Sequence, residues 1–382
     1  MDRRDFIRLV GGGVVVAATA AAAACAPAGP DPRAAWDNPG ATETDIRRKA
    51  LSFAILAPNP HNMQPWIVDL RTPDEITLFI DRTRLLPVTD PFNRQIVIGC
   101  GGFLELLTMA LAAQGVSATA AMFPDGEAKP LLNDQPIFRV RLNRAIAPER
   151  SPLFDHALER RTDRGAFTDA PVAEADVRAI AAAALVAPWV ETAGTVEAAR
   201  VERLRRLVYD GARIEAHTPA AHRESVERTF IGPRDVAAHP WGISLDQPVM
   251  TAMNAVGVLT KAKMATPGTT AFAESLKFLK TAADTSRGFV WIVTRGDSRA
   301  DQLAAGMAYL RGNLAATARG LAMHPWSQGL QEYATQKPVY DALHKELAPD
   351  GGRIQMLARI GYPKAKIPPA PRRGLDAQIR SA

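Results

Sequence analysis

Two long apolar segments, one in each half of the 382-residue chain, constrain its fold more than any other feature. Apolar residues recur at helical spacing from about residue 90 to 114 and again from about 299 to 319. A glycine follows each predicted helix, Gly115 in one case and Gly320 in the other. Three residue types also recur at identical spacings in the two helices: Gln95, Gly99 and Leu107, and then Gln302, Gly306 and Leu314. This pattern predicts a degenerate internal duplication.

Short strand-like segments flank both predicted helices, and the order strand, long helix, glycine, strand occurs twice. We therefore expect an α+β fold with two antiparallel sheets around central long helices, related by a pseudo-twofold axis. The predicted boundaries are 36–150 for the first unit and 151–382 for the second. Residues from about 219 to 283 have no counterpart in the first unit, and they are expected to form a helical insertion that covers a site as a lid.

Composition narrows the class of protein. Apolar residues make up 47% of the chain and charged residues 23%, which is typical of a soluble globular enzyme. The net charge of +6 is spread along the chain without a dense basic run, and this argues against nucleic-acid binding. The two cysteines lie far apart and indicate neither a disulfide framework nor a zinc site.

The first residues have the pattern of an export signal. Arg3 and Arg4 precede an uncharged stretch from 9 to 24, and small residues follow. Paired arginines predict the twin-arginine type, which gives residues 1–35 as the signal and the periplasm or cell envelope as the location. A membrane-spanning anchor is the alternative, although the stretch is short and rich in alanine. Cys25 leaves lipidation open.

An arginine-rich turn is the first candidate site. Arg160, Arg161 and Arg164 surround Thr162, and Arg372 and Arg373 lie near the C-terminus. Guanidinium groups bind the oxygens of a phosphomonoester in paired geometry, and a threonine hydroxyl can donate to the same oxygens. The alternative is that these arginines are ordinary solvated surface residues.

The second candidate is the loop "APNPHNMQPW". Asn62 and Gln64 offer amide donors and acceptors, and prolines on either side stiffen the backbone. Such a loop suits the polar edge of a flat heterocycle such as a flavin. The alternative is a turn rich in proline and asparagine that places Trp66 in the core.

These two motifs carry a resemblance. "NMQPW" resembles the N-x-Q-P-W signature of the nitroreductase family of flavin enzymes, and "ERRTDRGAF" is similar to that family's R-x-S/T-x-R/K phosphate motif. The order of "APNPHNMQPW", "LLPVTDPFNRQIVIGCGG" and "ERRTDRGAF" resembles the Acg-type subfamily, in which two nitroreductase-like subunits look fused. The resemblance implies a nitroreductase-like fold and one FMN per chain, because each half carries only one of the two motifs.

The resemblance also assigns roles. It implies that Arg160 binds the FMN phosphate with Arg373 as the second contact, and that Arg164 lies near ring N1 and the C2 carbonyl. It places a backbone group of 324–328 near N5. The implied cofactor-binding residues are Pro58, Asn59, Pro60, Asn62 and Gln64 from the first half, and Arg160, Arg161, Thr162, Arg164, His324, Pro325, Trp326, Ser327, Gln328, Arg372 and Arg373 from the second.

Two functions follow from this resemblance. One is an FMN-binding oxidoreductase that transfers two electrons through flavin N5 to a small oxidant such as a nitroaromatic or quinone. NAD(P)H or another reductant would supply the electrons, and no protein nucleophile or metal is needed. The other is an FMN storage or sequestration protein with little turnover. A metal hydrolase using His217, His222 and His239 is a third alternative, which their spacing disfavours. The fused halves make a monomer sufficient and leave a homodimer open.

Overall fold

The computed structural model describes residues 29–380, so the predicted export signal up to residue 28, with Cys25, lies outside the described residues. The first unit begins with a short helix and ends with a sheet strand. Its elements are α1 (Ile46–Ala54), β1 (Trp66–Asp69), β2 (Glu75–Ile80), α2 (Arg94–Ala113), β3 (Ser117–Met122) and β4 (Phe138–Asn143).

The second unit repeats this order around a long insertion. It opens with α3 (Glu174–Ala183) and β5 (Val190–Thr195). The insertion then comprises α4 (Ala198–His217), α5 (Pro219–Glu227), β6 (Thr229–Ile231), α6 (Pro233–Ala238), β7 (Ile243–Leu245), α7 (Pro248–Ala255), α8 (Lys261–Ala265) and α9 (Thr270–Asp284). The unit closes with β8 (Gly288–Thr294), α10 (Arg299–Thr317), β9 (Ala322–Pro325), α11 (Lys337–Leu347) and β10 (Arg353–Gly361).

The two main sheets have the same topology. Their strand orders are β1-β2-β4-β3 and β5-β8-β10-β9, and neighbouring strands are antiparallel in both. Each long helix stands between its second and third sheet strands in sequence. The segment without a counterpart in the first unit lies between β5 and β8, so it starts at α4, earlier than the predicted residue 219.

Helices α2 and α10 cross at two glycines. A Cβ atom on Gly101 would lie 1.9 Å from the carbonyl oxygen of Leu303, and a Cβ on Gly306 would lie 1.9 Å from that of Ile98. These reciprocal contacts place the pseudo-twofold axis at Gly101 and Gly306, where only glycine lets the backbones approach.

The register of the repeat differs from the sequence comparison. Gly101 corresponds to Gly306, and Gly115 corresponds to Gly320 at the same distance along each helix; the last two end their helices with φ of +74° and +70°. The sequence comparison paired Gly99 with Gly306 instead and was two residues out of register. The matching of similar apolar residues in two such helices cannot fix the register, because many offsets score alike.

The cores of the two units interlock through these helices. Leu303, Leu310 and Leu314 of α10 pack in the core of the first unit, and Ile98 of α2 packs in that of the second. Helix α2 has the length and apolar composition of a membrane span, but most of it is buried inside this core. It is therefore a central helix of the folded unit.

Candidate functional site

Three guanidinium groups surround the ring of Trp36. The guanidinium carbons of Arg161, Arg372 and Arg160 lie 4.9, 5.4 and 5.9 Å from the ring centroid. Arg160 and Arg372 are buried, and within residues 29–380 neither has an ion pair with a carboxylate. Cations that face an aromatic ring and one another without a counter-ion form a site ready to accept an anion.

Desolvation acts on these cations. Burial lowers the pKa of Arg160 to about 10, and burial followed by the charges of Arg160 and Arg161 lowers the pKa of Arg372 to about 9. Several of their N–H groups are buried without a hydrogen-bond acceptor in the described part of the chain, namely Arg160 Nη1, Arg161 Nε and Arg372 Nε. Unsatisfied buried donors are costly, so the cluster is incomplete without a ligand that accepts from them.

Trp36 is a site residue that the sequence did not reveal. It lies one residue beyond the predicted export segment, and its Nε1 donates to the carbonyl oxygen of Ala370 at 2.9 Å. Pro32 accepts from the backbone N–H of Arg372 at 2.8 Å, and Arg33 pairs with Asp246 at 2.7 Å. The folded chain therefore starts before residue 35. The only available signal was a tryptophan in a segment otherwise rich in alanine and proline.

The loop "APNPHNMQPW", residues 57–66, is called the amide loop below, and its backbone is unusual. His61, Asn62 and Gln64 all have positive φ, between +46° and +54°. Such values are uncommon for residues other than glycine and cluster at functional sites. Gly99 of α2 permits the loop to approach, because a Cβ there would lie 3.1 Å from Asn59 Cβ and 3.2 Å from Pro60 Cδ.

The structure brings the amide loop and the arginine turn together. Arg372 Nη1 donates to Asn62 Oδ1 at 2.5 Å, and Arg372 Nη2 donates to the carbonyl oxygen of Leu56, which also accepts from Arg160. The loop and the turn were expected at opposite ends of one nucleotide. Asn62 instead lies directly beside the arginine cluster.

Protein groups already satisfy the two amides that we assigned to the flavin ring. Asn62 Nδ2 donates to the carbonyls of Gly242 and Pro371, and Gln64 Nε2 donates to those of Pro240 and Pro371. In this structure these side chains bind the insertion and the C-terminal segment. These hydrogen bonds occupy the amide donors of both side chains, and the assignment of Asn62 and Gln64 to the ring edge stays a prediction.

The two C-terminal arginines, both predicted to bind the cofactor, point to different places in the structure. Arg372 joins Arg160, whereas the backbone N–H of Arg373 donates to Gln64 Oε1 at 2.8 Å. The guanidinium of Arg373 binds the carbonyls of Gln64 and Ala377. Arg372 is thus the second guanidinium of the cluster, and Arg373 fastens the C-terminal segment to the amide loop. Sequence spacing alone does not distinguish adjacent arginines that point in opposite directions.

Arg164 is the third arginine of the turn. Its side chain keeps solvent-accessible surface, and desolvation by the surrounding protein lowers its pKa. It has no hydrogen bond or ion pair within residues 29–380, and its charge acts on His61, His324 and Tyr309. An accessible cation without an ion pair can stabilise negative charge on a ligand.

The segment 324–328 follows α10 and includes the end of β9. His324 and Trp326 are buried, and His324 Nδ1 accepts a hydrogen bond from Arg359 Nε at 2.9 Å. Thr162 forms an isolated parallel bridge with Met323, which brings the arginine turn to this segment. Pro325 ends β9, and Ser327 and Gln328 lie at a short 3-10 helix. Only backbone groups of 324–328 were assigned to the ring, and that assignment stays a prediction.

Arg359 is a second residue that sequence reasoning missed. It is fully buried and donates to the carbonyls of Asp163, Gly165 and Ala282 as well as to His324. It therefore holds the arginine turn against β10. The signal was an arginine inside the apolar strand "IQMLARIG", which required buried partners.

The histidines of the insertion have structural contacts. His217 and His222 pack edge-on against Phe272, and His239 stacks on Phe230. Between residues 29 and 380 no three histidine, cysteine or acidic side chains lie close enough to hold a metal ion.

Comparisons with known proteins identify the family of the chain. The sequence model of the nitroreductase family matches residues 157–362, more than half of the chain. The chain is 28% identical over 345 residues to the putative NAD(P)H nitroreductase Rv3131 of Mycobacterium tuberculosis (strain H37Rv), covering 88% of this chain and 92% of that protein. It is 33% identical over 134 residues to the putative NAD(P)H nitroreductase acg of the same strain, covering 34% and 38%. The FMN-dependent nitroreductase NfnB of Mycobacterium smegmatis in complex with NADPH aligns over 59% of this chain and 95% of its own, with 19% identity and a TM-score of 0.36. The chain belongs to the nitroreductase family.

Proposed function

We propose that this protein is an FMN-dependent oxidoreductase that passes two electrons to a small oxidant such as a quinone or a nitroaromatic. The observation that carries the proposal is the cluster of Arg160, Arg161 and Arg372, which holds three cations around Trp36 and has no ion pair with a carboxylate among residues 29–380. Membership of the nitroreductase family supports FMN as the ligand.

The residues present fit the phosphate group of FMN. A phosphomonoester carries close to two negative charges and offers several acceptor oxygens. The unsatisfied N–H groups of Arg160, Arg161 and Arg372 supply donors for those oxygens. Charge-assisted hydrogen bonds of this kind are about twice as strong as neutral ones, so FMN would remove both the unsatisfied donors and the mutual repulsion.

The chain's own side chains would orient the cofactor and exclude water. Bound FMN would supply two-electron chemistry at N5. Arg164 would keep its positive charge beside the isoalloxazine ring and stabilise negative charge there. Desolvation, together with the charges of Arg359 and Arg164, lowers the pKa of His324 well below its ordinary value, so that residue stays neutral and structural.

The second candidate function is FMN storage with little turnover. Glu224 of α5 accepts from the backbone N–H groups of Val88 and Thr89, and the backbone N–H of Gly242 donates to the carbonyl oxygen of Asn62. These contacts fasten the insertion to the first unit. A lid held in this way favours retention of the cofactor over exchange of substrates.

One experiment tests binding and separates the two functions. The purified chain is reconstituted with FMN, its visible spectrum is recorded, and NADPH or dithionite is then added without oxygen. Bleaching of the flavin band by NADPH and its return on addition of benzoquinone support an oxidoreductase. Bleaching by dithionite alone favours storage. Both functions are contradicted if the unaltered chain takes up no more FMN than the Arg160→Ala variant does.

We also propose export by the twin-arginine route, with NAD(P)H or another reductant as the electron donor. The basis is Arg3 and Arg4 before an uncharged stretch. The test replaces both arginines by lysine and follows the protein by cell fractionation. Retention of the double variant in the cytoplasm supports export by this route, and unchanged fractionation contradicts it.

A further inference from the structure

We propose that His61, Ser225 and Glu215 form a proton-transfer chain, which delivers a proton from the insertion to the bound substrate. The inference rests on the proposed oxidoreductase function. Reduction of a quinone by two electrons transfers a hydride and requires one more proton, and the family resemblance assigns no residue of this chain to supply that proton.

The three side chains form a continuous hydrogen-bonded series. His61 Nε2 lies 3.1 Å from Ser225 Oγ, and Ser225 Oγ donates to Glu215 Oε1 at 2.8 Å. His61 belongs to the amide loop, Ser225 to α5 and Glu215 to α4. The series therefore crosses from the insertion into the strained loop of the first unit.

The order of the groups indicates proton conduction. In a hydrolytic triad the histidine stands between the acid and the serine, so that it can take the serine proton. Here the serine stands between the acid and the histidine. A hydroxyl in the middle can donate in either direction, and reversal of both hydrogen bonds moves one proton from end to end.

The charges around the two ends favour this direction of transfer. Burial, and to a smaller extent the charge of Glu224, raises the pKa of Glu215, while hydrogen bonds from Ser225 and Gln331 oppose the rise. Gln331 Nε2 donates to Glu215 Oε2 at 2.7 Å and in turn accepts from Tyr333 at Oε1. Burial therefore favours the protonated form of the Glu215 carboxyl group.

His61 has the opposite character. Burial followed by the charges of Arg164 and Arg228 lowers its pKa to about 4, so its ring is neutral at physiological pH. It also keeps solvent-accessible surface and lies on the loop whose residues have positive φ. A neutral imidazole that accepts on one nitrogen and donates from the other passes a proton without storing it.

The step balances as follows. The O–H bond of the Glu215 carboxylic acid breaks as its proton moves to Ser225 Oγ, the Ser225 proton moves to His61 Nε2, and the His61 Nδ1–H bond breaks as its proton forms the new O–H bond of the product. Glu215 is left as a carboxylate and His61 holds its proton on Nε2. After the product leaves, Glu215 regains one proton from water, and exchange with water returns the His61 proton from Nε2 to Nδ1. The electrons and the hydride come from the reductant of the proposed function.

The first test separates the two half-reactions of the FMN-loaded full chain. Stopped-flow absorbance follows bleaching by NADPH and then recovery with benzoquinone, each in water and in deuterium oxide. Ser225→Ala should leave bleaching unchanged, slow recovery about 100-fold, in line with the effect of losing a general acid, and abolish the solvent isotope effect on recovery. Ser225→Thr keeps the hydroxyl and should restore both.

Two further variants guard against a merely structural effect. Glu215→Gln keeps a hydrogen-bond partner for Ser225 but has no acidic proton, so it should reproduce the loss seen in Ser225→Ala. Ser275→Ala removes a hydroxyl that donates to Ala271 within α9 of the same insertion and should change neither half-reaction. Equal recovery rates and equal isotope effects in Ser225→Ala and the unaltered protein would overturn the proposal.

A second readout does not depend on turnover. In the full chain without FMN, carbon NMR of the Glu215 carboxyl and nitrogen NMR of the His61 ring are followed against pH. Ser225→Ala should raise the Glu215 pKa and remove the response of His61 Nε2 to the Glu215 titration. If NADPH fails to bleach the flavin but this coupling is present, the proposed function fails and the chain of groups stands. If the coupling is absent, the proton-transfer chain is rejected.

Discussion

Arg160 and Arg372 donate to the same backbone oxygen, the carbonyl of Leu56, at 3.3 and 3.0 Å. The shared acceptor holds the two guanidinium groups side by side although they come from distant parts of the second half. Neither is neutralised by a carboxylate in the described part of the chain. The arrangement is favourable only when an anion joins it, and this determines the first prediction.

Arg372→Ala should weaken FMN binding by about 50-fold, because one charge-assisted contact contributes about 1.5–3 kcal/mol. Arg373→Ala is the matched control, since its backbone N–H still donates to Gln64 and its guanidinium points away from the cluster. That variant loses its hydrogen bonds to the carbonyls of Gln64 and Ala377 but no contact within the cluster, so it should bind FMN within about threefold of the unaltered protein. Quenching of FMN fluorescence measures both affinities. Equal losses in the two variants would contradict the assignment of Arg372 as the phosphate contact.

FMN affinity should fall as the pH rises above about 9. Burial lowers the pKa of Arg372 to about 9 in the protein without ligand, and a phosphate dianion beside it raises that pKa again. Binding therefore takes up a proton, which favours binding at lower pH. Affinity should drop up to about tenfold per pH unit beyond 9.

The same shift has the opposite sign for stability without ligand. Above about pH 9 the unfolded chain, in which Arg372 has the higher ordinary pKa of an arginine, holds more protons than the folded one. The free energy of unfolding contributed by Arg372 therefore increases with pH in that range. FMN titrations of the Arg372→Met variant at several pH values are the control for the affinity prediction. They should show weak FMN binding whose pH dependence lacks the step near pH 9.

Local patterns in the sequence were sufficient to predict the long helices, and the family motifs were sufficient to predict that the arginine turn and the amide loop lie close together. The apolar periodicity predicted α2 and α10 closely, and the resemblance brought the arginine turn to the amide loop. Side-chain direction was not accessible. Asn62 and Gln64 have the chemistry to bind a ring edge, but the fold directs them to carbonyls of Pro371, Pro240 and Gly242.

Long-range contacts explain what the sequence did not reveal. Trp36 reaches the arginines because residues 32–37 pack against the C-terminal segment, and no local pattern encodes that contact. Ser225 meets His61 only because the insertion folds back on the first unit. The sequence comparison placed the two repeats out of register for a related reason. The close approach of Gly101 to Gly306 depends on two helices at once.

Trp36→Ala should weaken FMN binding by about tenfold without changing the fold. The ring faces three guanidiniums, and a desolvated cation–π contact contributes up to about 2 kcal/mol. Trp189→Ala is the matched control, because Trp189 is an exposed tryptophan far along the chain from the cluster. Fluorescence titration with FMN and a circular dichroism spectrum of each variant check the prediction. Unchanged FMN affinity in Trp36→Ala would remove Trp36 from the site.

Gly101→Ala should destabilise the protein by about 3 kcal/mol. The new methyl group would meet the carbonyl oxygen of Leu303 at 1.9 Å, and overpacking of rigid backbone costs about 1–3 kcal/mol or more. Gly306→Ala should behave alike because its contact with Ile98 is the pseudo-symmetric equivalent. Gly102→Ala is the control on the same helix, with its nearest neighbour at 3.7 Å, and should be neutral or slightly stabilising. Urea unfolding measures all three, and similar values for Gly101→Ala and Gly102→Ala would exclude the tight crossing.

Glu224→Ala should release the insertion from the first unit. The buried carboxylate accepts from the backbone N–H of Val88 at 3.2 Å, from that of Thr89 at 2.8 Å and from Thr89 Oγ1 at 2.6 Å. Its removal leaves three donors unpaired, at a cost of about 1–3 kcal/mol each when buried, which favours local opening over global unfolding. Amide hydrogen exchange should therefore speed up in α5, and FMN should dissociate faster. Glu227→Ala, an exposed substitution on the same helix, should leave both rates unchanged.

The same variant tests whether the closed insertion limits turnover by keeping the oxidant away from the cofactor. If it does, opening of the insertion in Glu224→Ala should make re-oxidation by benzoquinone faster. If exchange in α5 does not change, Glu224 does not hold the lid.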